Sequence, residues 1–118
     1  MKLLIVEDEE LIRDAYKMIL ESEGHEVYTA HNGVEALREM KVRRPKLVLL
    51  DVFMPVMDGM TFLKNLDLDE YPNSTFIACT NLSDQETKEE MLRLGCTDII
   101  LKANIDPREL IEIVKTYA

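Results

Sequence analysis

The chain has 118 residues, of which 47% are hydrophobic and 31% charged, and 14 Lys and Arg against 23 Asp and Glu give a net charge of -9. This composition is typical of one globular domain, and its acidity argues against direct binding to nucleic acid or to an anionic membrane. No apolar run approaches the roughly 18–20 residues of a membrane helix, and the amino terminus lacks a signal-peptide core. The two cysteines, Cys79 and Cys96, have no metal-type spacing. We therefore expect a soluble, cytoplasmic protein with buried thiols.

The first half of the chain alternates short apolar segments with helical patterns. Residues 2–6 predict a first strand, a helix follows, and Gly24 supplies the residue that ends it. Residues 25–30 predict a second strand, and Asn32 with Glu35 three residues later marks the start of a second helix. The apolar positions that define one face of each helix are Leu11, Ala15, Met18 and Ile19 in the first, and Val34, Leu37 and Met40 in the second.

The second half is built in the same way around a third strand, in which four aliphatic residues run directly into Asp51. An Asp58-Gly59 turn then leads into a short helix, and residues 67–74 predict an irregular connection. Residues 75–80 and 98–101 predict two more strands, and Ser83 with Glu86 predicts the start of the helix between them. The last helix begins at Asp106-Pro107, and the apolar core positions of the third and fifth helices are Phe62, Leu63, Leu66, Leu110, Ile113 and Val114.

Five strands that alternate with five helices predict an α/β fold. Short apolar strands joined through helices favour a parallel sheet with right-handed crossovers and helices on both faces. We see no linker or low-complexity segment, so residues 1–118 are expected to form one doubly wound domain.

Polar side chains stand at the ends of four predicted strands. Glu7 and Asp8 follow the first strand, Asp51 ends the third, Thr80 ends the fourth and Lys102 follows the fifth. Because the carboxyl ends of parallel strands lie along one edge, we expect these groups to lie close together, where open α/β sheets bind ligands. Each one alone has an ordinary explanation, such as an acid that complements a helix dipole or a solvated lysine. The two histidines, His25 and His31, are interpreted as surface or second-strand residues.

Three carboxylates at one edge create an electrostatic problem. Two carboxylates about 5 Å apart repel by roughly 3 kcal/mol at an effective dielectric constant near 20. One lysine cannot neutralise three acids, whereas a hard divalent cation can, and Mg²⁺ suits one or two carboxylates together with water and phosphate oxygens. Such a cation next to Asp51 would favour an incoming phosphoryl group, with Asp51 as its nucleophile.

These residues carry a family resemblance that covers the whole chain. The pair Glu7-Asp8, the strand that ends in Asp51, the Met54-Pro55 and Asp58-Gly59 steps, Thr80 and Lys102 resemble the motifs of a response-regulator receiver domain of two-component signalling. The resemblance implies a CheY-like, flavodoxin-like (βα)5 fold with a five-stranded parallel sheet of order 2-1-3-4-5.

The resemblance also implies a role for each site residue. Asp51 accepts a phosphoryl group from a phosphohistidine on a sensor histidine kinase or a histidine phosphotransfer protein. Asp8, Asp51 and the backbone carbonyl of Phe53 ligate Mg²⁺, and Glu7 does so through water. Thr80 and Lys102 bind the phosphoryl oxygens, and the face of the fourth helix, fifth strand and fifth helix changes its preference for a downstream effector. By this resemblance the chain is a regulatory phosphoacceptor and not an enzyme.

Three positions depart from the usual family pattern. Ala103 replaces the proline that commonly follows the lysine, so we expect a trans Lys102–Ala103 bond, since a cis bond without proline costs about 3–4 kcal/mol. Ile99 occupies the position of an aromatic switch residue, which excludes an aromatic rotamer relay. Asn81 stands where the family favours a small residue, and it either narrows access to Asp51 or offers an extra hydrogen bond. With Leu82 and Phe53 nearby we expect slow water access, so that the aspartyl phosphate is long-lived.

Three alternatives to a phosphoacceptor can be compared with the sequence. The chain is either a phosphoacceptor or a receiver-like interaction module that takes no phosphate. An aspartate-nucleophile phosphatase is disfavoured because such enzymes need a second Asp two residues after the nucleophile, where Phe53 stands. A flavodoxin-like binder is disfavoured because the acidic residues 7–10 would repel a phosphate ligand.

Overall fold

A computed structural model of the chain describes residues 1–81, 84–102 and 105–117. Five parallel strands form one sheet in the order β2-β1-β3-β4-β5, which confirms the predicted doubly wound fold. The strands are β1 (Lys2–Val6), β2 (Glu26–Ala30), β3 (Leu47–Asp51), β4 (Thr75–Thr80) and β5 (Asp98–Leu101). The helices are α1 (Glu10–Ser22), α2 (Gly33–Arg43), α3 (Gly59–Asn65), α4 (Gln85–Arg93) and α5 (Pro107–Thr116).

The sheet is sandwiched between two apolar layers because successive strand residues point to opposite faces. All five residues of the central strand β3 are buried: Val48 and Leu50 face one layer, and Leu47 and Leu49 face the other. The first layer contains residues of α2, α3 and α4, and the second contains residues of α1 and α5. In contrast, β5 pairs only with β4, and its four residues are exposed or half-buried. Of the five strands, β5 is therefore the least buried.

Helix starts follow the predicted capping residues, with one exception. The Asn32 side chain accepts a hydrogen bond from the Glu35 N–H at 2.9 Å, and Asp106 accepts one from the Glu109 N–H at 2.9 Å. At α4, however, the cap is Asp84, which accepts from the Glu86 N–H at 2.9 Å, so the predicted Ser83 capping box is wrong. Ser83 itself lies outside the described residues. Ser and Asp are both good N-cap residues because each can accept a hydrogen bond from a free helix N–H, so the sequence allowed α4 to begin after either Ser83 or Asp84.

The apolar face expected for α1 is only partly correct. Ile19 packs against the apolar layer of α1 and α5 as expected, together with Tyr16, and Leu20 is fully buried. Leu11, however, is 86% exposed and Met18 is 72% exposed. Adjacent apolar residues in α1 permit two apolar stripes at helical spacing, and only packing against the sheet selects one. Leu11 and Met18 therefore form an exposed apolar stripe.

One core position of α2 is corrected. Met40 is buried as expected, together with Gly33 and Ala36, whereas Val34 is 42% exposed. The irregular connection at residues 67–74 contains a short 3₁₀ turn, Leu68–Glu70, where the Asp69 N–H donates to the Asp67 side chain at 3.1 Å. Among the described helices, none has the length and apolar character needed to cross a membrane.

Candidate functional site

The carboxyl edge of the sheet carries all the buried polar side chains among the described residues. They are Glu7, Asp51, Thr80 and Lys102, each less than a tenth exposed. Every one of them lies at the end of a strand or directly after it. A cleft of about 250 Å³ opens here, lined by Asp8, Glu9, Asp51, Phe53, Thr80, Asn81 and Lys102. The structure thus brings the predicted strand-end residues together.

Three carboxylates in this cleft have the arrangement of a cation site. Glu7, Asp8 and Asp51 each offer a carboxylate oxygen, and these oxygens lie within 4.8 Å of one another. Glu7 and Asp51 are buried and Asp8 is half-buried, so an approaching ion would reach the group from the Asp8 side. An all-oxygen donor set with few carboxylates suits Mg²⁺, which keeps several waters in its coordination shell. The residues therefore fit the magnesium site that the sequence predicts.

Lys102 is the internal counter-charge of the site. Its Nζ lies 3.2 Å from Asp51 Oδ2 and also forms an ion pair with Glu7. Burial alone would lower the pKa of this ammonium, but the hydrogen bonds that it donates to Glu7 and Asp51, together with the two carboxylate charges, outweigh burial and raise the pKa. Lys102 therefore stays protonated and offsets part of the negative charge.

The environment of Asp51 in the cleft disfavours the ionised form of its carboxyl group. Burial, followed by the hydrogen bond and charge of Glu7, raises the pKa of Asp51 to about 7, although Lys102 opposes this shift. One lysine therefore does not fully compensate three acids, as the sequence suggested. A further positive charge would remove the penalty on ionised Asp51 and leave it as a carboxylate nucleophile.

The loop between β3 and α3 is fixed by backbone contacts that sequence reasoning missed. The Gly59 N–H donates to the Val52 carbonyl at 2.9 Å, and a Cβ on Gly59 would lie 2.4 Å from the carbonyl oxygen of Asp51. Val56 has a φ of 70°, and the Met57 N–H donates to the Pro55 carbonyl at 2.8 Å, which closes a γ-turn. The Asp-Gly step signalled only a turn, although a glycine can also mark a close backbone approach.

A second glycine ties this loop to the neighbouring helix. The Gly33 N–H donates to the Met57 carbonyl at 2.9 Å, and a Cβ on Gly33 would lie 2.6 Å from Met57 Cγ. The loop also carries Phe53, which is 47% exposed at the mouth of the cleft. The Phe53 segment is therefore held between β3 and the start of α2.

The remaining predicted positions fall into three groups. Asn81 lines the cleft, while Leu82 and the Lys102–Ala103 bond lie outside the described residues. Ile99 is half-buried and packs against the apolar layer of α2, α3 and α4, so no aromatic ring occupies that position.

The two histidines are not among the residues that line the cleft. His25 Nδ1 lies 3.2 Å from the amino-terminal nitrogen, and His31 pairs with Glu35 at 2.7 Å. Both histidines thus have partners other than the strand-end residues.

A doubly wound sheet with an acidic cleft and a buried lysine at its carboxyl edge defines a class of α/β signalling domains. The family model described as the response regulator receiver domain matches residues 3–115. The chain belongs to the response regulator receiver family of two-component signalling, whose members are regulatory domains.

Individual relatives agree with this assignment. The chain is 36% identical to an uncharacterized 14.6 kDa protein of Leptolyngbya boryana, covering 99% of this chain and 89% of that one. It is 35% identical to the polar-differentiation response regulator DivK of Brucella anthropi, covering 97% and 93%. The structure of the chemotaxis protein CheY4 of Vibrio cholerae superposes with a TM-score of 0.91 at 30% identity, covering 99% and 98%.

Other relatives are longer than this chain. It spans 54% of the transcriptional regulatory protein CrdR of Helicobacter pylori and 32% of a protein-glutamate methylesterase/protein-glutamine glutaminase of Dechloromonas aromatica. Receiver domains of this family therefore occur both in proteins of similar length and as parts of larger ones.

Proposed function

We propose that this domain is a phosphoacceptor, with Asp51 as the residue that takes the phosphoryl group. The observation that carries the proposal is the buried carboxylate of Asp51, which belongs to the group of three carboxylates, lies 3.2 Å from Lys102 Nζ and lines the cleft. Burial beside Glu7 makes ionised Asp51 costly, so a cation both promotes its ionised form and prepares the cleft for an anionic group.

Each residue has a defined part in the transfer. An Asp51 carboxylate oxygen attacks the phosphorus of a phosphohistidine on a sensor histidine kinase or a phosphotransfer protein; the O–P bond forms, the N–P bond breaks, and the imidazole leaves. Asp8, Asp51 and the Phe53 carbonyl would hold Mg²⁺ directly, and Glu7 would hold it through water. When bound, the ion supplies positive charge that offsets the charge of the phosphoryl oxygens.

Lys102 and Thr80 are the residues that would contact the phosphoryl group and shift in response to it. Lys102 Nζ already lies 3.2 Å from Asp51 Oδ2, within reach of an oxygen attached to that carboxylate. Thr80 ends β4 beside Leu101 of β5 and lines the same cleft. A shift of these two residues toward a phosphoryl group would alter the face made by α4, β5 and α5, where we place the downstream effector. Ile99, which is half-buried in β5, belongs to this face, so the change would not involve an aromatic ring at that position.

Exposure to a small phosphodonor tests the proposal directly. The intact mass of the purified domain should rise by one phosphoryl group after incubation with acetyl phosphate and Mg²⁺, and chelation of Mg²⁺ should prevent the rise. Asp51→Asn should show no adduct, while Asp58→Asn, which changes a helix-capping acid nearby in sequence, should still show it. Absence of an adduct in the unmodified domain would favour an interaction module that takes no phosphate.

The lifetime of the adduct is a separate prediction. Asn81 and the half-exposed Phe53 ring both line the cleft of Asp51, where they limit the positions open to an attacking water. We expect the phosphorylated form to persist after the donor is removed, and Asn81→Gly to shorten its half-life several-fold. Decay can be followed by mass spectrometry at fixed Mg²⁺; an unchanged rate in Asn81→Gly would contradict a role in access.

The two cysteines fit a reducing compartment, and we place the protein in the cytoplasm. Both Cys79 and Cys96 are buried free thiols. They lie in different apolar layers on opposite faces of the sheet. Such thiols are usual in proteins kept reduced.

A further inference from the structure

The loop between β1 and α1 carries two of the proposed cation ligands, yet α1 begins without a side-chain cap. Glu9 is the N-cap residue, and its side chain makes no capping hydrogen bond. Instead, the Glu9 N–H donates to Glu7 Oε2 at 3.2 Å, so a carboxylate of the site itself satisfies this backbone group. The position of Glu7 and Asp8 must therefore be fixed by something other than ordinary helix capping.

Arg13 supplies that contact from the second turn of α1. Its Nη1 donates to the backbone carbonyl of Glu7 at 3.0 Å and lies 3.5 Å from the carbonyl of Asp8. Its backbone N–H makes the ordinary helical hydrogen bond to the Glu9 carbonyl at 2.9 Å. The Arg13 side chain thus contacts the main chain at two successive positions of the acidic loop.

The charge of Arg13 is directed to these carbonyls and not to a carboxylate. Within the described part of the chain, no Asp or Glu oxygen forms an ion pair with Arg13, although α1 and its loop are rich in acids. Arg13 is also half-buried, which distinguishes it from a solvated surface arginine. Both contacts come from Nη1, which carries two N–H groups held in the rigid guanidinium plane, so this one nitrogen can donate to two neighbouring carbonyls.

We propose that Arg13 is a positioning residue of the cation site, acting through the backbone of Glu7 and Asp8. This inference rests on the proposed function, because it concerns the ligands that function requires. Removing a group that orients metal ligands commonly lowers metal affinity by about 10- to 100-fold. Arg13 would hold the two acids in place before the ion arrives.

Whether replacing Arg13 weakens or strengthens Mg²⁺ binding distinguishes a positioning role from a purely electrostatic one. Arg13 is a cation near a site for a cation, so if it acted through charge alone, its removal would strengthen Mg²⁺ binding. If it acts by positioning, Arg13→Gln weakens Mg²⁺ binding although the site becomes more negative. Arg13→Lys keeps the charge but carries it on a flexible chain without the rigid guanidinium plane, so its Mg²⁺ affinity should lie between those of the unmodified domain and Arg13→Gln.

The experiment is a titration of the purified domain with Mg²⁺, followed by calorimetry at 25 °C and by the rise in Tm with Mg²⁺ concentration. We expect the Kd to increase about tenfold in Arg13→Gln and severalfold in Arg13→Lys. The control, Arg38→Gln, makes the same charge change at an exposed position on α2 and should leave the Kd within about twofold.

Equal or tighter binding by Arg13→Gln would overturn the positioning role while leaving the phosphoacceptor proposal intact. If Arg13→Gln does not fold, the Arg13→Lys titration decides, and an unchanged Kd there overturns the role. If the unmodified domain shows neither heat nor a Tm shift with Mg²⁺, the proposed function itself fails, and the Arg13 role fails with it.

Discussion

In the metal-free domain, Asp51→Asn should raise the free energy of unfolding at pH 8, and the gain should disappear near pH 4. Folding raises the pKa of Asp51 to about 7, chiefly because the carboxyl is buried and lies beside Glu7. The unfolded chain has an ordinary aspartate pKa near 4. The folded state therefore binds the proton more tightly than the unfolded state, and stability falls as pH rises through this window.

The size of the effect follows from the same window. Below about pH 4 the carboxyl is protonated in both states and imposes no penalty, whereas above about pH 7 the full penalty is present. One pKa unit corresponds to about 1.4 kcal/mol, so the ceiling is about 4 kcal/mol. The pKa of about 7 already includes the opposing effect of Lys102, but the asparagine amide must itself be buried without its full set of hydrogen bonds, which reduces the expected gain to about 2 kcal/mol.

Urea unfolding in the presence of a chelator at pH 4, 6 and 8 measures this prediction. Adding Mg²⁺ should then stabilise the unmodified domain and not Asp51→Asn, because the variant lacks one carboxylate of the site. Asp69→Asn, which changes an exposed acid of the 3₁₀ turn, is the matched control and should show no comparable gain. A stability difference between Asp51→Asn and the unmodified domain that is constant from pH 4 to pH 8 would contradict the assignment.

Gly59→Ala should lower the free energy of unfolding by about 3 kcal/mol and impair phosphoryl uptake. Helix propensity alone predicts the opposite sign, since Ala is favoured over Gly in a helix by about 1 kcal/mol. The added Cβ, however, would lie 2.4 Å from the Asp51 carbonyl oxygen and 3.1 Å from Val52 Cα. These are backbone atoms at the end of a strand paired on both sides, so they cannot move away without shifting Asp51.

Gly24→Ala is the contrasting control for this prediction. Its added Cβ would have nothing within 4 Å, but Gly24 has a φ of 89°, so the expected cost is about 1–2 kcal/mol from backbone strain alone. Gly24→Ala should retain full phosphoryl uptake at a temperature where it is folded. Equal stability losses in the two variants, with equal uptake, would show that the contact with Asp51 does not matter.

The sequence predicted the strands well because their signals are local. Each buried strand is a short apolar run, and the acidic residues after β1 and the Asp51 end of β3 follow such runs directly. Parallel topology then places their carboxyl ends along one edge, so the main site residues could be predicted without coordinates. The family resemblance contributed the strand order and the individual roles.

The failures arose where two local solutions compete or where a contact depends on how a loop turns back on the element that precedes it. Leu11 and Ile12 are neighbours on α1, and only the sheet decides that the first is exposed. Ser83 and Asp84 are both good caps, and the choice depends on where the helix begins. The contact of Gly59 with Asp51 and the reach of Arg13 to the acidic loop depend on three-dimensional approach, which spacing along the chain does not encode.

The position of Lys102 after an edge strand has a mechanical consequence. The acids of the site follow β1 and β3, which are paired on both sides and buried, whereas Lys102 is attached to β5, which has a single neighbour and partial burial. Segments with few buried contacts open at a lower free energy than the core. The carboxylates are therefore attached to well-buried strands, whereas the ammonium of Lys102 follows a strand that can open locally at a lower free energy. Lys102 can then be displaced while β1 and β3 stay folded.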